Sequence, residues 1–199
     1  MPVKLLAFSD LHRDAERAER LVERASEADV VVGAGDYATM RIGLARVVDT
    51  LSAVAVPTVL VPGNAESDTE LRRACAGWPS AEVLHGEAKE IAGTEFFGLG
   101  GGVPPTPFPW SFDLSEEEAA AKLEHCPDRT VLVVHSPPKG YVDEVGGRHL
   151  GSTSVLEAID RTRPALVVCG HIHQCWGGEA KIGVTPVVNV GPEGRLLEI

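Results

Sequence analysis

Seven side chains with metal-binding chemistry stand directly after five short apolar runs. Residues 3–8 lead into Ser9-Asp10-Leu11-His12, residues 29–34 into Gly35-Asp36, and residues 57–61 into Pro62-Gly63-Asn64. Residues 130–134 lead into His135, and residues 165–169 into Gly170-His171-Ile172-His173. Asp10, His12, Asp36, Asn64, His135, His171 and His173 make a mixed nitrogen and oxygen donor set. Such a set suits divalent zinc, manganese, iron, cobalt or nickel. Seven groups are too many for one ion and suit two ions sharing a carboxylate. Paired ions roughly 3.5–4 Å apart serve in-line displacement at phosphorus: they acidify a water, orient the phosphate and offset developing charge. The glycines before Asp36, Asn64 and His171 let the backbone turn sharply there. The competing reading is a scatter of unrelated histidines. It needs four of the seven histidines to fall beside run ends by chance.

The runs that must position these groups are rich in valine and leucine and barely alternate. They read as strands buried on both faces. Helical spacing of apolar residues lies between them, over 14–25, 41–53, 68–76, 115–123 and 152–161. Glu16 and Arg20 form an i,i+4 pair, and Ser115 with Glu118 predicts a capping box. Alternation of strand and helix argues an α/β layered fold, whose strand carboxyl ends share the edge where ligands bind. The stretches 81–99 and 179–199 leave no room for crossover helices. They read as hairpins, and so as a second, more antiparallel sheet. Residues 100–110 are dense in glycine and proline and form a loop. Phe108, Trp110 and Phe112 in or beside it either stack on an aryl group or nucleobase or anchor the loop; anchoring is the preferred reading.

A length of 199 residues fits one domain spanning 1–199. The formal net charge of −11 opposes binding to long nucleic acid or an anionic membrane and is compatible with cations. No apolar run approaches the roughly 20 residues of a membrane span, and none near the start makes a signal-peptide core. The four cysteines form no C-x-x-C pair, so reduced thiols and a cytoplasmic location are expected.

The order D-x-H, G-D, G-N, H, G-H-x-H, running from residue 10 to residue 173, resembles that of the calcineurin-like metallophosphoesterase superfamily, in its small phosphodiesterase-like branch. The resemblance implies an α/β four-layer α/β/β/α sandwich with two central mixed sheets around a dimetal centre. Carried over by position, Asp10, His12, Asp36 and His173 would hold one ion. Asp36, Asn64, His135 and His171 would hold the other, with Asp36 bridging. Manganese is the expected metal, with iron, zinc, cobalt and nickel as alternatives. The implied activity is hydrolysis of small phosphodiesters by a metal-bridging hydroxide. The expected partner is a small phosphate ester, nucleotides included.

One position departs from the family pattern. The motif usually written G-N-H-D/E is here Gly63-Asn64-Ala65-Glu66. The missing histidine generally binds phosphate or protonates the leaving group, and a positioned general acid is worth about 10²–10⁴ in rate. The change therefore favours diesters over alkyl monoesters. Without that histidine, Glu66 reads as a solvated acidic residue ahead of a helix. His149, in the glycine-rich stretch 146–152 that opens a helix, resembles an H-x-G-S segment near the site in related proteins. It is the candidate catalytic and substrate-binding replacement, with Arg148 and Asn64 as further substrate contacts. His85 and His125 read as structural. Residues 35–39 lack the Asp-Arg-Gly of the Ser/Thr protein phosphatases. The alternative reading is a weakly active or inactive protein that binds metal and nucleotide or phosphate as a sensor or interaction scaffold. Turnover with added manganese separates the two.

Overall fold

The five apolar runs divide between two sheets. The computed structural model describes residues 2–199. Its strands are β1 (Lys4–Phe8), β2 (Val30–Gly33), β3 (Thr58–Leu60), β4 (Ala81–Val83), β5 (Glu87–Ile91), β6 (Thr94–Leu99), β7 (Val131–Val134), β8 (Glu144–Val145), β9 (Arg148–His149), β10 (Leu166–Cys169), β11 (Glu179–Ile182), β12 (Thr185–Asn189) and β13 (Arg195–Glu198). The helices are α1 (Ala15–Arg24), α2 (Leu44–Leu51), α3 (Asp68–Ala74), α4 (Glu116–Leu123) and α5 (Thr153–Thr162). One sheet runs β13-β1-β2-β3-β4, the other β11-β12-β10-β7-β6-β5.

The strand period of two sorts the core into layers. Leu5 and Ala7 of β1, Val30 and Val32 of β2, and Val131 and Val133 of β7 fill the space between the sheets. Leu6, Phe8 and Val31 face outward onto the cluster that takes Ala18 and Leu21 of α1, Val47, Val48 and Leu51 of α2, and Leu71 of α3. Phe97, Leu132 and Val167 meet Leu123 of α4 and Val155 and Ile159 of α5 on the other side. The result is the four-layer α/β/β/α arrangement with two mixed central sheets. Each fully buried aliphatic side chain in these layers contributes about 1.5–3 kcal/mol.

Local chemistry sets the helix boundaries. Asp14 caps α1 by accepting from the Arg17 N–H. Both Ser67–Glu70 and Ser115–Glu118 form complete capping boxes. The first turn of α5 donates the Thr153 and Ser154 N–H groups to the Glu116 carboxylate, at 2.9 Å each.

Two expectations need correction and a third holds at the sheet edges. The second helix begins at Leu44 rather than at residue 41. Met40 and Arg41 lie at φ of 50° and 67° in a tight turn, and the Arg41 N–H is given to the Ala65 carbonyl. The hairpins read in 81–99 and 179–199 are present as β5–β6 and β11–β12, which make the second sheet the more antiparallel of the two, while its centre, with β6, β7, β10 and β12 side by side, is parallel. The crossovers from β6 to β7 and from β7 to β10 are α4 and α5, which lie outside the stretches read as hairpins, and the chain passes from β10 to β12 through β11. Of those stretches, 81–83 instead extends the first sheet parallel to β3, and 195–198 crosses to pair antiparallel with β1.

Candidate metal centre

The carboxyl ends of β1, β2, β3, β7 and β10 bring Asp10, His12, Asp36, Asn64, His135, His171 and His173 together. Several occupy backbone conformations that L-residues avoid: φ is 55° at Asp10, 47° at His12, 61° at Asp36 and 67° at His171. Such conformations cost on the order of 1–3 kcal/mol each and cluster at functional sites. Gly63 is required by close approach, since a Cβ there would land on the Asp36 carboxylate.

Asp10 is fully buried. Its carboxylate accepts from the Ser9 hydroxyl at 2.5 Å, the His171 N–H at 3.2 Å and the Trp176 indole N–H at 3.0 Å. Asp36 sits between two histidines. Its Oδ2 lies 3.6 Å from His12 Nε2 and its Oδ1 3.4 Å from His135 Nε2. The Ala65 N–H also donates to that Oδ1, at 2.8 Å. His12 Nε2 stands 2.9 Å from His173 Nε2, and the His135 and His171 rings pack with centroids 4.8 Å apart. Two groups have ligand atoms close enough to share an ion: Asp10 with His12 and His173, and Asp10 with Asp36 and His135.

The donor chemistry fits a cation. His12 Nδ1 faces the Ala38 carbonyl at 3.2 Å, and His135 Nδ1 faces the Ala34 carbonyl at 2.8 Å. A carbonyl only accepts, so both Nδ1 atoms carry the proton and both Nε2 atoms present lone pairs. Asn64 Nδ2 donates to Ser111 Oγ at 2.9 Å, which turns its Oδ1 to within 3.1 Å of His135 Nε2. Among His12, His135, Asp36 and Asn64, acceptor atoms thus face acceptor atoms, an arrangement that a positive ion relieves. Carbonyl-anchored Nδ1–H groups are also what orients a ligating imidazole.

Burial, with the charge of Asp10 beside it, pushes the Asp36 carboxyl up to about 7. Burial holds His171 well below its ordinary value and also lowers His173. Metal and proton therefore compete at Asp36. Below about pH 7 the carboxyl must lose its proton for an ion to bind. Affinity for Mn²⁺ is expected to rise from pH 5.5 to 7 and then level off, with proton release at the acid end. Calorimetry in two buffers of different ionisation enthalpy reads that release.

A cavity of ≈ 560 Å³ opens beside the cluster, reached by His12, Asp36, Asn64, His171 and His173. Its far wall holds Phe108, Trp110, Val145 and Leu150. The anchoring reading of the loop holds for Phe112, whose ring packs on His85 at 5.5 Å. It does not hold for Phe108 and Trp110, which stack on each other at the cavity. Ala65 is buried and contributes nothing to the wall.

His149 and Arg148 do not line this cavity, contrary to the substrate-contact expectation. Successive strand residues point to opposite faces. Val145 and Leu150 turn to the cavity, while His149 Nδ1 turns to the buried Asp143 carboxylate at 2.7 Å. Arg148 is exposed.

Two residues at the site escaped the sequence reading. Glu66 is fully buried, not solvated. Its Oε1 accepts the Asp36 and Gly63 N–H groups at 2.9 and 2.7 Å, and its Oε2 accepts the Ala38 N–H at 2.9 Å. It ties together the loops after β2 and β3. Trp176 bonds Asp10 and lies against the His173 ring with centroids 4.4 Å apart. Its position three residues after His173 was the available signal.

Comparison with known proteins places this arrangement. Residues 3–197 match the calcineurin-like phosphoesterase superfamily domain. A curated relative, UPF0046 protein K07C11.7 of Caenorhabditis elegans, is 32% identical over 94 residues, covering 47% of this chain. The matched stretch is 32% of the relative's length, so the chain accounts for about a third of it. Among solved structures, TT1561 of Thermus thermophilus superposes with a TM-score of 0.77 at 20% identity, covering 100% of this chain and 99% of that one. Phosphopantetheinyl hydrolase of Mycobacterium tuberculosis gives 0.63 at 18% identity, with 94% and 88% covered. A dimetal phosphatase from Danio rerio gives 0.60 at 15% identity, with 96% and 88% covered. At these identities the structural matches establish the fold.

Proposed function

The chain belongs to the calcineurin-like phosphoesterase superfamily, and from that premise we propose that it hydrolyses small phosphodiesters at a two-metal centre built on Asp36. The observation that carries this reading is the orientation of Asp36: one carboxylate oxygen faces His12 and the other faces His135. Asp10, His12 and His173 would hold an ion on the first side. Asn64, His135 and His171 would hold one on the second. The dimetal phosphatase of Danio rerio, which shares the fold, supports a pair of ions. When bound, such ions supply the positive charge that acidifies a water and offsets charge building at phosphorus; manganese is the metal assigned.

The residues around the cluster favour a diester. Ala65 offers no proton to a leaving group, so the substrate must leave without strong acid assistance. The cavity wall carries no lysine or arginine to match the second charge of a monoester dianion. The Ser9 hydroxyl and the Trp176 and His171 N–H groups hold the Asp10 carboxylate in place, and Glu66 holds the Asp36 loop. These contacts keep the ligand atoms oriented before any substrate arrives. No helix among the described residues is long and apolar enough to cross a membrane.

The test compares bis(p-nitrophenyl) phosphate with p-nitrophenyl phosphate in Mn²⁺-loaded protein. The diester is expected to be hydrolysed at least about tenfold faster, because the wall offers no lysine or arginine to the second charge of the monoester. Preference for the monoester overturns the diester assignment. The buried methyl of Ala65 also favours a second reading, a metal- and nucleotide-binding sensor with little turnover. Tight binding of a nucleotide without hydrolysis of either ester, in protein shown to contain metal, selects it.

A further inference from the structure

The wall facing the metal cluster has a composition that selects among diesters. Phe108 and Trp110 stack on each other with centroids 5.3 Å apart and planes 11° from parallel. Phe108 remains 50% exposed. A ring serving only to anchor its loop would be covered, as Phe112 is by His85. Phe108 instead keeps free aromatic surface and stacks on the half-buried Trp110, so that the two rings form a platform at the cavity.

The platform is held rigidly and in register with the cluster. Asn64 Nδ2 donates to Ser111 Oγ at 2.9 Å, and Ser111 Oγ donates to Asp113 Oδ1 at 2.7 Å. Asp113 Oδ2 accepts the Thr106 N–H at 2.9 Å and the Thr106 hydroxyl at 3.0 Å. The Phe112 N–H returns to the Asn64 carbonyl at 2.9 Å. One chain of hydrogen bonds therefore runs from a cluster residue to both ends of the aromatic segment. A platform fixed before binding loses little conformational freedom when a ring stacks on it.

Charge supplies the second criterion. Beyond the cluster, the cavity wall is proline, aromatic and aliphatic, with Thr106 and Gln174 as its polar side chains and no cation. A second phosphate on the substrate would find no partner there, in a chain whose net charge is already −11.

Resting on the phosphodiesterase reading, we propose that the Phe108–Trp110 platform selects singly charged phosphodiesters whose second ester group bears an uncharged planar ring, a nucleobase being the type. The platform takes the face of the ring while the cluster takes the one phosphate. Stacking on aromatic side chains tolerates any base, so selectivity lies in planarity and charge rather than in base identity.

The test keeps the leaving group constant. Mn²⁺-loaded protein is given the p-nitrophenyl phosphodiesters of thymidine (through its 5′ oxygen), of ethanol and of 2-cyclohexylethanol. The thymidine ester is expected to exceed the ethyl ester about tenfold or more in kcat/KM, chiefly through KM, with the cyclohexylethyl ester close to the ethyl. Trp110→Ala and Phe108→Ala are each expected to reduce the thymidine-to-ethyl ratio about fivefold or more. A thymidine ester with no advantage, a cyclohexylethyl ester that matches it, or a ratio unchanged in both variants overturns the proposal. If metal-loaded protein hydrolyses none of the three, the diesterase reading fails and the platform is judged by binding. Calorimetry then compares thymidine 5′-monophosphate with ribose 5-phosphate, which carry the same charge. Thymidine monophosphate binding about tenfold tighter, and losing that margin in Trp110→Ala, sustains the platform; equal binding overturns it.

Discussion

Asp36→Ala is expected to strip both metal ions from the protein and to lower diester turnover by at least about 10³-fold. The size of the effect follows from position. Each oxygen of this carboxylate faces a different imidazole, so its removal takes a donor from both sides at once. The remaining donors on each side are mostly neutral nitrogens, and the charge that draws a divalent ion falls. Changing a residue on one side alone, such as His173, should deplete one ion more than the other. Metal analysis of dialysed protein, beside the circular dichroism spectrum, reads the result. An Asp36→Ala protein that stays folded and binds its full complement of metal would contradict the bridging role.

Glu66→Gln is expected to lower stability by about 2–3 kcal/mol, because it breaks a buried network at a charged acceptor. At this chain length that is a fall of roughly 5–10 °C in Tm. The carboxylate accepts three backbone N–H groups in a site without solvent. A glutamine can keep the bonds on one oxygen, but its amide nitrogen then faces another N–H donor. Burial, with the charge of Asp36 beside it, pushes the Glu66 carboxyl up to about 7. The protein thus holds a costly buried acid to fix the loops that carry Asp36 and Asn64. A second effect follows from that role: Mn²⁺ affinity should fall with stability, though Glu66 is not among the candidate ligands. Thermal denaturation and metal titration of the variant check both. A variant with unchanged Tm and metal affinity would return Glu66 to the bland reading its sequence position invites.

The two carboxylates also show where sequence reasoning works here and where it stops. The five strands and their polar ends were legible because a strand buried on both faces writes itself as an unbroken valine and leucine run. The group that follows such a run must then emerge at the sheet edge. Asp10, Asp36, Asn64, His135 and the His171–His173 pair were found this way, and the structure brings them together. Glu66 was misread because its burial depends on two loops meeting, from β2 and β3, about 30 residues apart in sequence. No local pattern records that meeting. Trp176 was passed over for a similar reason, since its partner Asp10 lies 166 residues away. The course of β13 to the first sheet was illegible because a short edge strand, here Arg195–Glu198, carries no mark of which sheet it joins. His149 was placed at the site by the look of its loop. The two-residue period of a strand turned it to Asp143 instead.

The Phe108–Trp110 wall lies between these cases. Sequence showed the aromatic residues and a proline-rich loop that could not be helix or strand. It did not show that Asp113 and Ser111 would bolt that loop to Asn64, because that requires the fold of both segments at once.

The central claim is that two ions share the Asp36 carboxylate. Low-temperature electron paramagnetic resonance of protein loaded with two equivalents of Mn²⁺ tests it most directly. Ions roughly 3.5–4 Å apart with a common bridge are expected to give the broad, temperature-dependent spectrum of an exchange-coupled pair, and Asp36→Ala to abolish it. A spectrum of isolated six-line Mn²⁺ in the folded wild-type protein, at full loading, would contradict the account.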